Sequence, residues 1–288
     1  RYEPAAIERD GQVKTALLAA GVHAHSHKAA VLVEPFEAQT RAGRPYRVFT
    51  PYWRHCETHP EPAPPLPVPS ALPAPPAWPA SDTLGDFGLE PRLDWAGGIR
   101  AAWGIGERAA AAALARFIED GIDRYADRRD LPATAGVSRL SPHLHFGEIT
   151  PRRIWHAARE AQAGRGLLTR SAGAGAWLRQ LVWRDFAQHL LFHFPATPDA
   201  PLRPEFARFP WRNDGRALAR WERGETGYPI VDAGLRELWR TGWMHNRVRM
   251  LVGSFLVKDL LQDWRAGARW FWDTLVDADL ASNTLGWQ

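Results

Sequence analysis

Between residues 243 and 287 the chain gathers groups that are costly to bury and useful around a ligand. Asn246, Arg249, Met250 and Gly253 fall at i, i+3, i+4 and i+7, one stripe of a helix. Asp277, Asp279 and Asn283 follow, with Trp264 and Trp287 on either side. Amide, guanidinium, thioether and carboxylate groups together suit a flat ligand with a polar edge. Gly253 inside a helix costs roughly 1 kcal/mol relative to Ala, so a flat neighbour is expected against it, either a ligand ring or a second helix. A second stripe is Trp177, Gln180 and Arg184 at i, i+3 and i+7, with Trp183 just before its last member and Asp185 just after. A third segment, Val137, Ser138, Arg139, Leu140, Ser141 and Pro142, reads as a loop opening a helix. Ser141 is expected to cap that helix and Pro142 to take its first position. Such a start, beside Ser138 and Arg139, can bind a diphosphate, although Ser-Pro also opens many helices that bind nothing.

The elements that must hold these groups are mostly helical. Ala5 to Ala20 has helical apolar spacing and Gly21 stops it. Val22 to Glu34 alternates and ends in the strand-like run from Ala29 to Val33, so residues 1–57 read as part of an α/β domain. His23, His25 and His27 would share one side of that strand; an exposed strand face accounts for them better than a metal site. Residues 60–80 contain ten Pro, which makes 58–94 an extended connector. Beyond it, Ala101 to Tyr125 reads as one long helix, and Asp232 as a helix cap. No β period is visible from 95 to 288, an all-α domain.

Composition sets the bounds. With 288 residues, 45% hydrophobic and 24% charged, the chain can bury an ample core. No apolar run reaches the length of a bilayer span. Cys56 is the single cysteine, so no intrachain disulfide can form, and a reducing cytoplasm fits. A net charge of +4 and a pI near 9.6 permit nucleic-acid binding without requiring it. The 15 Trp are the outlier. Most are expected to fill core, since indole is a large apolar group with one polar handle.

Those segments resemble the DNA photolyase/cryptochrome family, nearest to bacterial class I cyclobutane pyrimidine dimer photolyases. The resemblance implies a partial Rossmann-like α/β antenna domain followed by a larger all-α FAD-binding domain. It places Tyr125, Ser138, Arg139, Leu140 and Ser141 at the FAD diphosphate, and Trp177, Gln180 and Arg184 on the flavin side of one helix. Asn246, Arg249, Asp277 and Asp279 would surround the ring, with Gly253 packed under it and Asn283 facing its redox-active central nitrogen. Trp183, Met250 and Gln180 would face a flipped-out lesion. Trp287, Trp264 and Trp211 would carry electrons inward from solvent, and Arg129 and Arg247 would contact DNA phosphates.

The implied activity is blue-light repair of pyrimidine dimers in UV-damaged DNA, by electron donation from photoexcited reduced FAD, in a monomer. A cryptochrome-like photoreceptor is the alternative. Asn283 favours repair, because an unpaired carboxylate there would repel an anionic flavin. Gln180 stands where dimer photolyases carry Glu and cannot supply a proton. The antenna chromophore is open between folate, deazaflavin and none, with Ala5 and Ala6 standing about where folate-binding members place Asn and Glu. Family chains begin earlier and run past Gln288, so 1–288 reads as a fragment.

Overall fold

The computed structural model describes residues 2–166 and 171–288. Thirteen α-helices are present among them. The first seven are α1 (Pro4–Ala19), α2 (Phe49–Thr58), α3 (Gly97–Ala102), α4 (Glu107–Asp120), α5 (Tyr125–Arg128), α6 (Ser141–Phe146) and α7 (Pro151–Gly164). The rest are α8 (Ala172–His193), α9 (Gly215–Glu222), α10 (Pro229–Thr241), α11 (Asn246–Ser254), α12 (Trp264–Thr274) and α13 (Leu280–Trp287). No helix is long and apolar enough to cross a membrane among the described residues.

The 22-residue α8 is the axis of the molecule and packs against α2, α5, α7 and α13. Its interior is dictated by sequence: Leu178, Leu181, Val182, Phe186, Leu190 and Leu191 are all buried. Leu178 and Leu181 join Phe117, Ile122, Tyr125 and Ile154 in one core. Val182, Phe186 and Leu190 meet Val33 and Tyr52 in another. A third core, with Trp221, Leu235, Met244, Val252, Leu256 and Phe271, holds α9 to α12 together. Helices with so much apolar surface owe their stability to this packing more than to intrinsic propensity.

Two expectations about the elements need correction. The strand from Ala29 to Val33 does not form, and no strand occurs among the described residues, so the α/β part of the expected fold class is not seen. A strand exists only against a ladder partner. Here the amides of Leu32 and Val33 instead donate to one carboxylate oxygen of Asp185 on α8, at 2.8 and 3.1 Å. The expected helix from 101 to 125 is broken into α3, α4 and the start of α5. Gly106 adopts φ +94°, a left-handed conformation that ends helical hydrogen bonding and that side-chain-bearing residues seldom adopt. Residues 63–90 are exposed and include a short turn of 3-10 helix at Leu84–Phe87.

Candidate functional site

Two adjoining cavities lie between α8, α11 and α13. The larger, about 690 Å³, is lined by Tyr125, Arg129, Ser138, Arg139, Leu140, Ser141, Trp177, Gln180, Trp183, Arg184, Asn246, Arg247 and Met250. The second, about 500 Å³, is lined by Asn246, Arg249, Met250, Gly253, Asp277, Asp279, Asn283 and Trp287. Asn246, Met250, Ser282 and Gly286 border both. The structure therefore brings together nearly every candidate site residue from segments 150 positions apart. Trp211 and Trp264 line neither cavity.

The helical stripes do this work. α8 presents Trp177, Gln180 and Arg184 to the larger cavity, as their spacing requires. Gln188, one turn past Arg184, continues the stripe and donates to Asp279 Oδ2 at 2.9 Å. Sequence reasoning missed Gln188, although its i, i+4, i+8 relation to Gln180 and Arg184 was the available signal. Gln180 turns its amide back to the Ala176 carbonyl at 3.0 Å. Trp183 stacks on Phe49 of α2, with centroids 3.5 Å apart and planes within 7°, so one indole face is already covered.

Arg139 sits at φ +53°, a conformation that is sparsely populated for a residue with a side chain and tends to mark functional sites. Its guanidinium lies 4.8 Å from the Trp103 ring and 4.5 Å from that of Trp243. Two indole faces thus hold a cation at the cavity wall while its N–H donors make no hydrogen bond within the described residues. Trp103 is itself tied down by its indole N–H to the Thr241 carbonyl, at 2.7 Å. Trp103 and Trp243 as a clamp were not legible beforehand, because they are 140 positions apart. Ser141 does not cap α6, which begins at Ser141 itself behind Leu140 and has no side-chain cap. Pro142 consequently falls second rather than first. Trp177 Nε1 reaches Ser138 Oγ at 3.4 Å.

In the second cavity Arg249 grips Asp277 through one nitrogen, at 3.0 and 2.8 Å to the two carboxylate oxygens, and donates its Nε to the Met244 carbonyl at 2.8 Å. The Asp277 side chain is 3% exposed, so this is a nearly buried ion pair. Such a pair is weak as a source of net stability and costly to break on one side. Asp279 caps α13, accepting from the Ser282 amide at 2.7 Å. Asn283 donates to the Ala268 carbonyl at 2.9 Å and accepts from Trp287 Nε1 at 3.0 Å. Its amide is therefore fixed in place at the cavity wall.

Gly253 does have a flat neighbour, and that neighbour is the Trp287 indole. A Cβ on Gly253 would stand 3.4 Å from it, and one on Gly267 only 2.2 Å from it. Two glycines on α11 and α12 thus make room for an aromatic side chain of α13, and Gly253 also borders the second cavity. Asp232 likewise does not cap α10. Its carboxylate reaches back to Thr226 N, Thr226 Oγ1 and Gly227 N at 2.6 to 2.9 Å, which stiffens the turn before the helix. These bonds hold its pKa below the usual carboxylate value although burial works against them.

The α11 cap was also missed. His245 occupies that position, buried, with Nδ1 accepting from the Arg247 amide at 3.2 Å. Burial holds its pKa below the ordinary value, in keeping with a neutral acceptor ring. The usual capping residues are Ser, Thr, Asp and Asn, so Asn246 would have been the sequence choice. At the rim, Arg129 and Arg247 both pair with Asp130, at 3.3 and 2.7 Å, leaving one net positive charge there.

The three expected electron-carrying tryptophans are distributed along α12, α13 and the segment before α9. Trp264 shares a separate cavity of about 620 Å³ with Asn283 and Trp272. Trp287 contacts Phe271 at 5.1 Å between centroids. Trp211 is anchored through its neighbour Arg212, whose amide donates to Leu261, three positions before Trp264. His23, His25 and His27 are exposed, and no metal-holding group of three is found among the described residues.

Residues 177–288 match the family model described as the FAD binding domain of DNA photolyase, and residues 1–71 match the DNA photolyase model. A deoxyribodipyrimidine photo-lyase of Agrobacterium fabrum is 45% identical across 100% of this chain and 60% of its own length. Cryptochrome-1 of Arabidopsis thaliana is 37% identical across 100% of this chain and 43% of its own. The crystal structure of a bacterial class III photolyase from Agrobacterium tumefaciens superposes with a TM-score of 0.94 at 45% identity, covering 100% of this chain and 59% of that one. The chain thus spans about 60% of the length of the photolyase relative, and a class III protein stands among its matches where class I was expected. With most of α8 and all of α11 and α13 lying within the segment matched to the FAD-binding model, the chain belongs to the DNA photolyase/cryptochrome family.

Proposed function

We propose that this protein is the flavin-bearing part of a light-dependent deoxyribodipyrimidine photolyase, which repairs cyclobutane pyrimidine dimers in UV-damaged DNA. The observation that carries the reading is the pair of confluent cavities with different chemistry. The larger offers hydroxyls, four arginines and aromatic walls, a donor set suited to a diphosphate and its nucleoside. The smaller offers side-chain amides, two carboxylates and a guanidinium around a floor of Gly253 and Trp287, suited to a flat ring with a polar edge. FAD fits both descriptions at once. When bound and reduced, it supplies the photoexcited electron that splits the dimer.

The protein's own share is orientation and electrostatics. Arg139, clamped by two indoles, neutralises phosphate charge at a fixed place. The Arg249–Asp277 pair is internally compensated, so it presents polarity to the ring without adding net charge. Asn283, held at both ends of its amide, keeps a neutral dipole beside the ring, where a carboxylate would disfavour an anionic flavin. Trp183 offers its uncovered face to a flipped-out pyrimidine dimer at the cavity mouth beside Met250. Arg129 and Arg247 hold DNA phosphates there, positioning the duplex rather than reading its sequence. Trp211, Trp264 and Trp287 form the route by which the flavin is re-reduced. We place the protein in the cytoplasm as a monomer, in keeping with its lone, half-buried Cys56.

One observation favours the photoreceptor alternative: the Gln180 amide is bonded to its own helix and has no proton to lend. Illumination of FAD-loaded, reduced protein with an oligonucleotide containing one cyclobutane thymine dimer, against a dark control, decides between the two. Restored thymines only in the light are expected. Bound, photoreducible flavin without restoration would replace repair by light sensing.

A further inference from the structure

The opposite face of α8 carries a second set of polar groups that the repair reading does not use. Segment 30–46 lies across it as a strap. Arg184 donates to the Ala30 carbonyl, and the next residue, Asp185, accepts from the amides of Leu32 and Val33 at 2.8 and 3.1 Å. One turn further, His189 Nδ1 and the Pro35 carbonyl lie 3.1 Å apart, and the Tyr46 amide donates to His189 Nε2 at 3.0 Å. His193 Nε2 also meets the Pro35 carbonyl, at 3.1 Å. Asp185 is 1% exposed, and its second oxygen, Oδ1, is buried without a hydrogen-bond partner. A buried carboxylate with one oxygen unmatched is expensive to keep for packing alone.

Its place in the chain suggests what it does. Arg184 lines the larger cavity and at the same time ends on the Ala30 carbonyl. A long guanidinium side chain has many rotamers and is a poor fixed wall unless something holds it. The geometry points to Asp185 as a positioning residue for the flavin cavity: by anchoring Leu32 and Val33 it fixes the Ala30 carbonyl, which in turn holds Arg184 against the cavity. This rests on the FAD reading given above and extends it to the strap. Binding of FAD and docking of residues 30–35 are then two ends of one equilibrium, and each strengthens the other by the same factor.

The test uses the full chain and two readouts, FAD affinity by quenching of flavin fluorescence and amide hydrogen exchange over residues 30–35. Saturating FAD is expected to slow exchange at Leu32 and Val33 of the wild-type protein by about tenfold, and Asp185→Ala to weaken FAD binding by the same factor, about 1.4 kcal/mol. Asp185→Asn keeps a carbonyl oxygen that can accept from both amides, and should restore both readouts. His193→Ala loosens the strap at Pro35 only, and should leave FAD affinity within about twofold if the effect runs through Arg184. Exchange at 32–33 that is indifferent to FAD in the wild-type protein overturns the coupling, whatever the variants do, and so removes any dependence on how well Asp185→Ala folds. Lost protection in a folded Asp185→Ala with unchanged FAD affinity overturns it as well and leaves the flavin reading intact. A wild-type chain that binds no FAD defeats the flavin reading itself, and the coupling with it.

Discussion

Asp185 and His189 sit one turn apart on α8, both essentially sealed from solvent at 1% and 0% exposure, and their ionisations oppose each other. Burial is the main cause in each. It raises the Asp185 carboxyl to about 7, against the pull of the Val33 and Leu32 amides and of Arg184. It lowers His189 to about 4, helped by repulsion from His193. Asp185 has a folded pKa above its unfolded one, so its stabilising contribution is complete below about pH 4 and is lost as pH rises to about 7. Three pH units at about 1.4 kcal/mol each make that loss about 4 kcal/mol. His189 has a folded pKa below its unfolded one, so its contribution is complete above about pH 6.5 and is lost as pH falls to about 4, a change of about 3 kcal/mol. In the wild-type protein the two slopes nearly cancel between pH 4 and 6.5. Each variant should unmask the other residue. Asp185→Asn is expected to lose about 3 kcal/mol between pH 6.5 and 4, and His189→Asn to lose about 4 kcal/mol between pH 4 and 7. Urea unfolding followed by tryptophan fluorescence at pH 4.5, 5.5, 6.5 and 7.5 measures all three profiles. Parallel profiles for wild type and both variants would refute the reasoning.

Other consequences follow from the same packing. Asp277→Asn leaves Arg249 without its partner in a nearly buried site and should cost about 3 kcal/mol, with weakened FAD retention, seen in thermal unfolding with and without FAD. Gly267→Ala drives a methyl into the Trp287 indole and the Leu256 side chain, at 2.2 and 2.6 Å, and should destabilise by about 1–3 kcal/mol, with a changed tryptophan emission spectrum. Trp103→Leu removes one face of the Arg139 clamp at a cost of about 0.5–1 kcal/mol, a two- to fivefold rise in the FAD dissociation constant by titration; an unchanged constant would mean that Arg139 does not need the clamp.

The helical stripes follow from residue order alone. Trp177, Gln180 and Arg184 had to share a face, as did Asn246, Arg249 and Gly253, because 3.6 residues per turn leaves no other arrangement once a helix forms. The exposure of the Pro-rich stretch was equally legible, because Pro lacks the amide that regular structure needs. What the sequence left open was which distant group each face would meet. That Leu32 and Val33 would give their amides to Asp185 instead of a neighbouring strand depends on a carboxylate 150 positions away. That the flat partner of Gly253 would be Trp287, and that Arg139 would be gripped by Trp103 and Trp243, depends on how α11, α12 and α13 close on one another. Periodicity is a property of neighbours along the chain. Pairing across it is settled only when cores compete for the same apolar surface and every buried donor seeks an acceptor, and both conditions exist only in the folded state.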